Sequence, residues 1–147
     1  MAVNSYFARL VQDSTFSSTK AYPAAAANNN HTAFDLGQRT AVSGGLDAGF
    51  NVEGTELLIS SPATPSLADA KTIIFSVYDS DDGSTYAIVP SLSAVLTLTG
   101  ASGAGAAAAS VRVNLPSTIR RYIRVNQAVL TAGGDSTAVS STVQLLF

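Results

Sequence analysis

The 147-residue chain has no cysteine, no tryptophan and a single histidine. Without cysteine there is no disulfide, no Cys-ligated zinc or iron–sulfur site and no thiol nucleophile. One imidazole excludes any site that needs two. Charge is scarce as well: Asp, Glu, Lys and Arg make up 12% of the chain, against roughly 25% in an ordinary soluble domain. Eight basic and ten acidic residues leave a net charge of −2, which argues against general electrostatic capture of nucleic acid or of an anionic membrane. No apolar run approaches the ~18 residues of a membrane-spanning helix. The first residues lack a charged segment followed by an apolar one, so no secretory signal is expected. The missing disulfides point to synthesis in a cytoplasm.

What is present is small. The chain has 24 Ala, 19 Ser and 14 Thr, while Val, Ile, Leu and Met total 33. That is enough apolar bulk for one compact core and too little for two. A charge-poor surface rich in Ala, Ser and Thr suits burial against protein neighbours better than open solvent.

Residues 1–33 read as an extended N-terminal arm. Asn4 to Val11 could form one or two helical turns, with Tyr6, Phe7, Leu10 and Val11 as apolar anchors for a neighbouring subunit. Ser/Thr-rich chain, Pro23, Ala24 to Ala27 and Asn28-Asn29-Asn30 follow without periodicity. A first strand followed by a loop is the simpler alternative. Residues 34–147 read as one β domain. Strands are expected near Phe34-Asp35-Leu36, Thr55 to Ser61, Lys71 to Asp79, Tyr86 to Val89, Leu92 to Thr99, Ser110 to Leu115, Arg121 to Asn126 and Val139 to Phe147. Turn signals separate them at Gly44-Gly45, Asp82-Gly83, Gly100 to Gly105 and Gly133-Gly134. About eight short strands with polar punctuation mean an all-β sandwich or barrel.

Few residues suggest chemistry. Asp79-Ser80-Asp81-Asp82-Gly83 has the start of a calcium-loop pattern but lacks a later bidentate Glu, so a hairpin turn with Asp caps and a positive-φ Gly83 accounts for it better. The Gly-rich run from Gly100 to Ala109 has no following Lys and no strand-to-helix context, so it is a surface loop rather than a phosphate cradle. His31 has no nucleophile motif near it, and Glu53, Glu56 and Asp79 are the kind of carboxylates any acidic chain offers a glycosidase reading. No catalytic residue, cofactor or metal is expected. On a strand, Arg120, Tyr122 and Arg124 share a face opposite Ile119, Ile123 and Val125. Arg and Tyr are enriched at protein interfaces, so these three are expected to pair with carboxylates within the sandwich or across a subunit contact.

One ordered set of phrases carries a resemblance. Ala33-Phe34-Asp35-Leu36-Gly37 is followed by Glu56-Leu57-Leu58-Ile59, by Phe75 to Ser84, by the loop from Gly100 to Ala109, and by Leu115-Pro116-Ser117 leading to Arg121-Tyr122-Ile123-Arg124-Val125. Over residues 33 to 147 this resembles the small capsid-stabilising, cementing or decoration, proteins of tailed bacteriophages. The resemblance implies a jelly-roll β-sandwich, no enzymatic activity and clamping of neighbouring major capsid proteins on the outer surface of the virion. The expectation is therefore a jelly-roll-like antiparallel β-sandwich of about eight strands that cements a phage head. It would act as a homo-oligomer, a dimer ahead of a trimer, with no nucleic-acid or membrane partner. The alternative is a carbohydrate- or receptor-binding β-sandwich of a phage tail or spike.

Overall fold

A computed structural model describes residues 12–37 and 55–146, with side chains from residue 16 onward in the first segment. These residues form ten strands: β1 (Gln12–Ala21), β2 (Asn28–Asn30), β3 (Phe34–Asp35), β4 (Glu56–Ser61), β5 (Thr72–Ser80), β6 (Ala87–Ile88), β7 (Leu96–Thr99), β8 (Ala109–Asn114), β9 (Tyr122–Val129) and β10 (Ser140–Leu146). Among the described residues there is no α-helix, only a 3-10 turn over Pro90–Leu92.

The strands make two antiparallel sheets. One runs β1-β10-β4-β8; the other runs β2-β9-β5-β6, with β3 also on β9 and β7 also on β5. Taking β2 with β3 and β6 with β7 as interrupted single strands leaves eight positions. Each early strand then lies beside its late counterpart: β1 by β10, β2/β3 by β9, β4 by β8, β5 by β6/β7. This is one long antiparallel ribbon wrapped across two sheets, the jelly-roll arrangement.

Alternation of bulk builds the core. Ile73, Phe75 and Val77 of β5 are fully buried, as are Leu57 and Ile59 of β4 and Val143 and Leu145 of β10. Ile123 and Val125 of β9 face them at 1% exposure. Burying each such side chain contributes about 1.5–3 kcal/mol.

Two expectations need correction. The strand foreseen from Leu92 starts only at Leu96, because Pro90 opens the 3-10 turn and Ala94 takes a positive φ of 50°. Leu92 is buried all the same, while Ala94 is exposed and its amide donates to Ser76 Oγ at 3.0 Å. More consequentially, no domain boundary falls at residue 33. From Gln12 onward the expected arm is part of the sandwich: β1 pairs along β10, β2 pairs with β9, and Tyr22 is 2% exposed in the core. Tyr6, Phe7, Leu10 and Val11 lie outside the described residues.

Polar chemistry ties β1 in where apolar bulk is missing. His31, 3% exposed, sits between the sheets with Nε2 2.9 Å from Ser141 Oγ on β10 and Nδ1 3.2 Å from Ser18 Oγ on β1. Gln127 Nε2 donates to the Ala21 carbonyl at 2.7 Å and to Asn29 Oδ1 at 2.8 Å, which fixes its amide orientation. Its Oε1 therefore takes the Ser141 hydroxyl proton, at 2.6 Å. That leaves Ser141 Oγ to accept from His31 Nε2, while Nδ1 faces the Ser18 carbonyl, which can only accept, at 3.1 Å as well as the Ser18 hydroxyl. Nearby, the Tyr22 hydroxyl donates to Ser61 Oγ at 2.5 Å.

Candidate functional site

Inward positions of β9 and β5 are consumed by the core, so their alternate residues make an outer face. On β9 these are Tyr122, Arg124, Asn126 and Ala128; on β5 they are Thr72, Ile74, Ser76 and Tyr78. The register sets Tyr78 opposite Arg124 on one side and Ile88 of β6 on the other. Ile88 is 41% exposed, one of two large apolar side chains so open among the described residues. Tyr86, just past the acidic turn, closes the group: the Arg124 guanidinium carbon lies 3.9 Å from its ring centroid.

The acidic turn and the arginine strand, separate features in the sequence, form one assembly. Arg120 lies just before β9 and donates from Nε to Asp79 Oδ1 at 2.8 Å and from Nη2 to the Asp79 carbonyl at 2.8 Å, while its amide meets Oδ2 at 3.1 Å. Asp81 stands 3.4 Å from Nη1. The carboxylate expected for Arg120 thus comes from its own chain. Asp82 accepts the amides of Ser84 and Thr85 at 2.8 Å each, which hold its carboxyl well below the usual carboxylate range, the Thr85 amide contributing most. Gly83 has a φ of +72°, and a Cβ there would lie 3.5 Å from the Tyr122 ring, so the turn packs against β9. The turn is a hairpin connection with Asp caps. Among the described residues no three His, Cys, Asp or Glu side chains gather as a metal site.

Arg121 is also paired internally. It grips Asp35 of β3 in a two-point contact, Nε–Oδ1 2.8 Å and Nη2–Oδ2 2.7 Å, and lies 4.9 Å from the Tyr122 ring centroid. The Arg121 hydrogen bonds, helped by the Gly37 amide, pull the Asp35 pKa down to about 2. The Asp35-Leu36-Gly37 phrase is thereby explained: Asp35 binds Arg121, Leu36 is 1% exposed in the core, and the Gly37 amide donates back to Asp35.

Arg124 differs from both neighbours. Among the described residues no carboxylate lies within ion-pair distance of it, and its Nε is buried with no hydrogen-bond partner. Tyr86 has its pKa raised, by burial above all. Of the seven candidate contacts read from sequence, the outer face gathers Tyr122 and Arg124 and flanks them with Arg120. Tyr78, Tyr86 and Ile88 were missed. The only signal for them was parity with Arg124 across two strand pairings, which needs the register to be known.

The Gly100 to Ala109 loop lies flat against the chain's own 64–70 segment. Thr64 and Ala106 form a bridge, and at Gly105 a Cβ would come 2.0 Å from the Thr64 carbonyl oxygen. Its small residues serve close backbone packing within the molecule.

Comparison with protein-family models gives a match to Bbp16 over residues 16–145. No curated protein matches the chain. The matched span runs from β1 through β10, and the chain belongs to the Bbp16 family.

Proposed function

We propose that this Bbp16-family chain is a structural virion protein that binds and cements the assembled major capsid protein lattice of a bacteriophage head. It acts from the outer surface of the capsid, as a homo-oligomer and without enzymatic activity. The observation that carries this reading is the outer face of the second sheet, where Tyr78, Tyr86, Tyr122, Ile88 and Arg124 converge. Tyr and Arg anchors beside exposed apolar surface are the composition of protein–protein contacts. Two of the charges beside them, Arg120 and Arg121, are neutralised inside the chain by Asp79 and Asp35, which lowers the desolvation cost of a broad contact. The resemblance carried by Asp35-Leu36-Gly37 and by Leu115 to Val125 supports the same reading.

Three tyrosines on one face also favour the carbohydrate-binding alternative. Two of those rings carry a guanidinium, Arg124 on Tyr86 and Arg121 on Tyr122, which leaves less free ring for a sugar to stack on. A glycan array separates the readings, since a cementing protein gives no saccharide signal. The direct test compares heads with and without the protein: decorated heads should withstand higher temperature or stronger osmotic shock. Heads that break at the same temperature in both states overturn the proposal.

A further inference from the structure

We infer that Arg124 is the residue through which this face recognises its partner, and that the group it takes is a carboxylate on a neighbouring polypeptide. The inference rests on the cementing reading for the identity of that neighbour, and on geometry for the rest. Three arginines cluster at the start of β9, and two are spent inside the chain, Arg120 on Asp79 and Arg121 on Asp35. Arg124 alone of the three has no acidic partner among the described residues. Its guanidinium rests on the Tyr86 ring at 3.9 Å from the centroid, and only Nε is both buried and unpartnered. Among the described residues the terminal nitrogens make no hydrogen bond, and they are not sealed from solvent as Nε is. Stacking fixes the plane of the fork while its outer edge stays open, so little side-chain freedom is lost when an acceptor docks.

A forked acceptor, carboxylate or phosphate, matches the two terminal nitrogens best. Charge decides between them. The turn that supplies Tyr86 also carries Asp81, whose side chain is 79% exposed, and Asp82, held ionised by turn amides. The chain as a whole is at −2. A polyanionic phosphate backbone would meet these carboxylates along with Arg124, whereas a single carboxylate side chain set among apolar neighbours meets Arg124, Ile88 and the tyrosines.

The test uses the full chain as wild type, Arg124→Gln, Arg124→Lys and Tyr86→Leu, titrated onto heads freed of the protein. A short apolar peptide carrying one glutamate and oligothymidylate serve as competitors, and direct binding of that peptide to the free chain serves as a second measurement. Arg124→Gln should melt within a few degrees of wild type, because Arg124 holds no internal ion pair and gives up only its stacking on Tyr86, yet bind heads about tenfold or more weakly. Arg124→Lys should recover only part of the loss, since it lacks the fork, and Tyr86→Leu should fall between wild type and Arg124→Gln. The single-glutamate peptide should displace wild type and bind it more tightly than it binds Arg124→Gln. Equal head binding by wild type and Arg124→Gln overturns the inference, as does displacement by oligothymidylate but not by the single-glutamate peptide. If wild type fails to bind heads at all, the cementing reading falls. Arg124 is then judged on direct binding of the single-glutamate peptide, where no difference between wild type and Arg124→Gln overturns its role too.

Discussion

His31 shows how one residue can couple the two sheets. Burial lowers its pKa below the ordinary 6.5, opposed by the hydrogen bonds to Ser18 and Gln127, with Lys20 adding a smaller push in the same direction as burial. The folded chain therefore binds this proton less readily than the unfolded chain. Stability is complete above pH 6.5 and declines as the pH falls from there toward the lowered folded value. Urea melts across pH 7 to 5 should show this decline, and His31→Gln should flatten it at a cost of about 1–3 kcal/mol for the hydroxyls left unpaired. A slope unchanged in the variant would remove His31 as its source. Asp35 acts lower: its contribution is present above pH 3.8 and is lost as the pH drops toward 2. A second residue-scale effect comes from alanines in left-handed backbone. Ala26 has a φ of 62° and is exposed, so Ala26→Gly relieves strain without losing packing. The relief of roughly 1–2 kcal/mol outweighs the added freedom of the unfolded chain, worth about 0.4–1 kcal/mol. A small rise in Tm is expected, and a fall would mean that the Ala26 methyl has a packing role.

At the scale of elements, legibility followed the size of the inward side chains. β4, β5, β9 and β10 were readable because Leu57, Ile59, Ile73, Phe75, Val77, Ile123, Val125, Val143 and Leu145 alternate with polar residues. β1 was not, because an inward position is Ser18, whose burial is stabilised by His31 and the Thr32 amide rather than by its own bulk. Ser141 on β10 was passed over for the same reason. The acidic turn was legible as a turn, but its docking to Arg120 and Tyr122 was not, since that contact joins residues some forty positions apart. This turn gives a pair of opposed expectations. EDTA should leave the melting temperature unchanged, because amides and Arg120 occupy the carboxylates. Asp79→Ala should lower it by several degrees, because it strips the guanidinium of Arg120 of its main acceptor at a largely buried position. A chelator-sensitive fold with a silent Asp79→Ala would return the loop to calcium.

For the whole molecule, the ribbon topology makes the first strand a structural partner of the last. β1 runs along β10 from Ser17–Gln144 to Ala21–Ser140, and β2 caps the other sheet on β9. Both contacts are long-range, so neither sheet closes its edge until the ends of the chain have met. A detachable arm would predict that removing residues 1–30 spares the sheets and weakens only attachment to a partner. The jelly roll predicts otherwise. That deletion takes away β1, β2, the Tyr22 side chain that packs edge-on against Phe75, and the Ser18 partner of His31. It also exposes the apolar inner side of β10 and leaves Gln127 without its Ala21 and Asn29 acceptors. The truncated chain should lose its cooperative thermal transition and aggregate through the bared β10 and β9 edges. Circular dichroism with a thermal melt reads this directly. A truncated chain that keeps a sharp transition near the wild-type temperature would show that β4 to β10 close a sandwich of their own, and would restore residues 12–30 to the status of an appended arm.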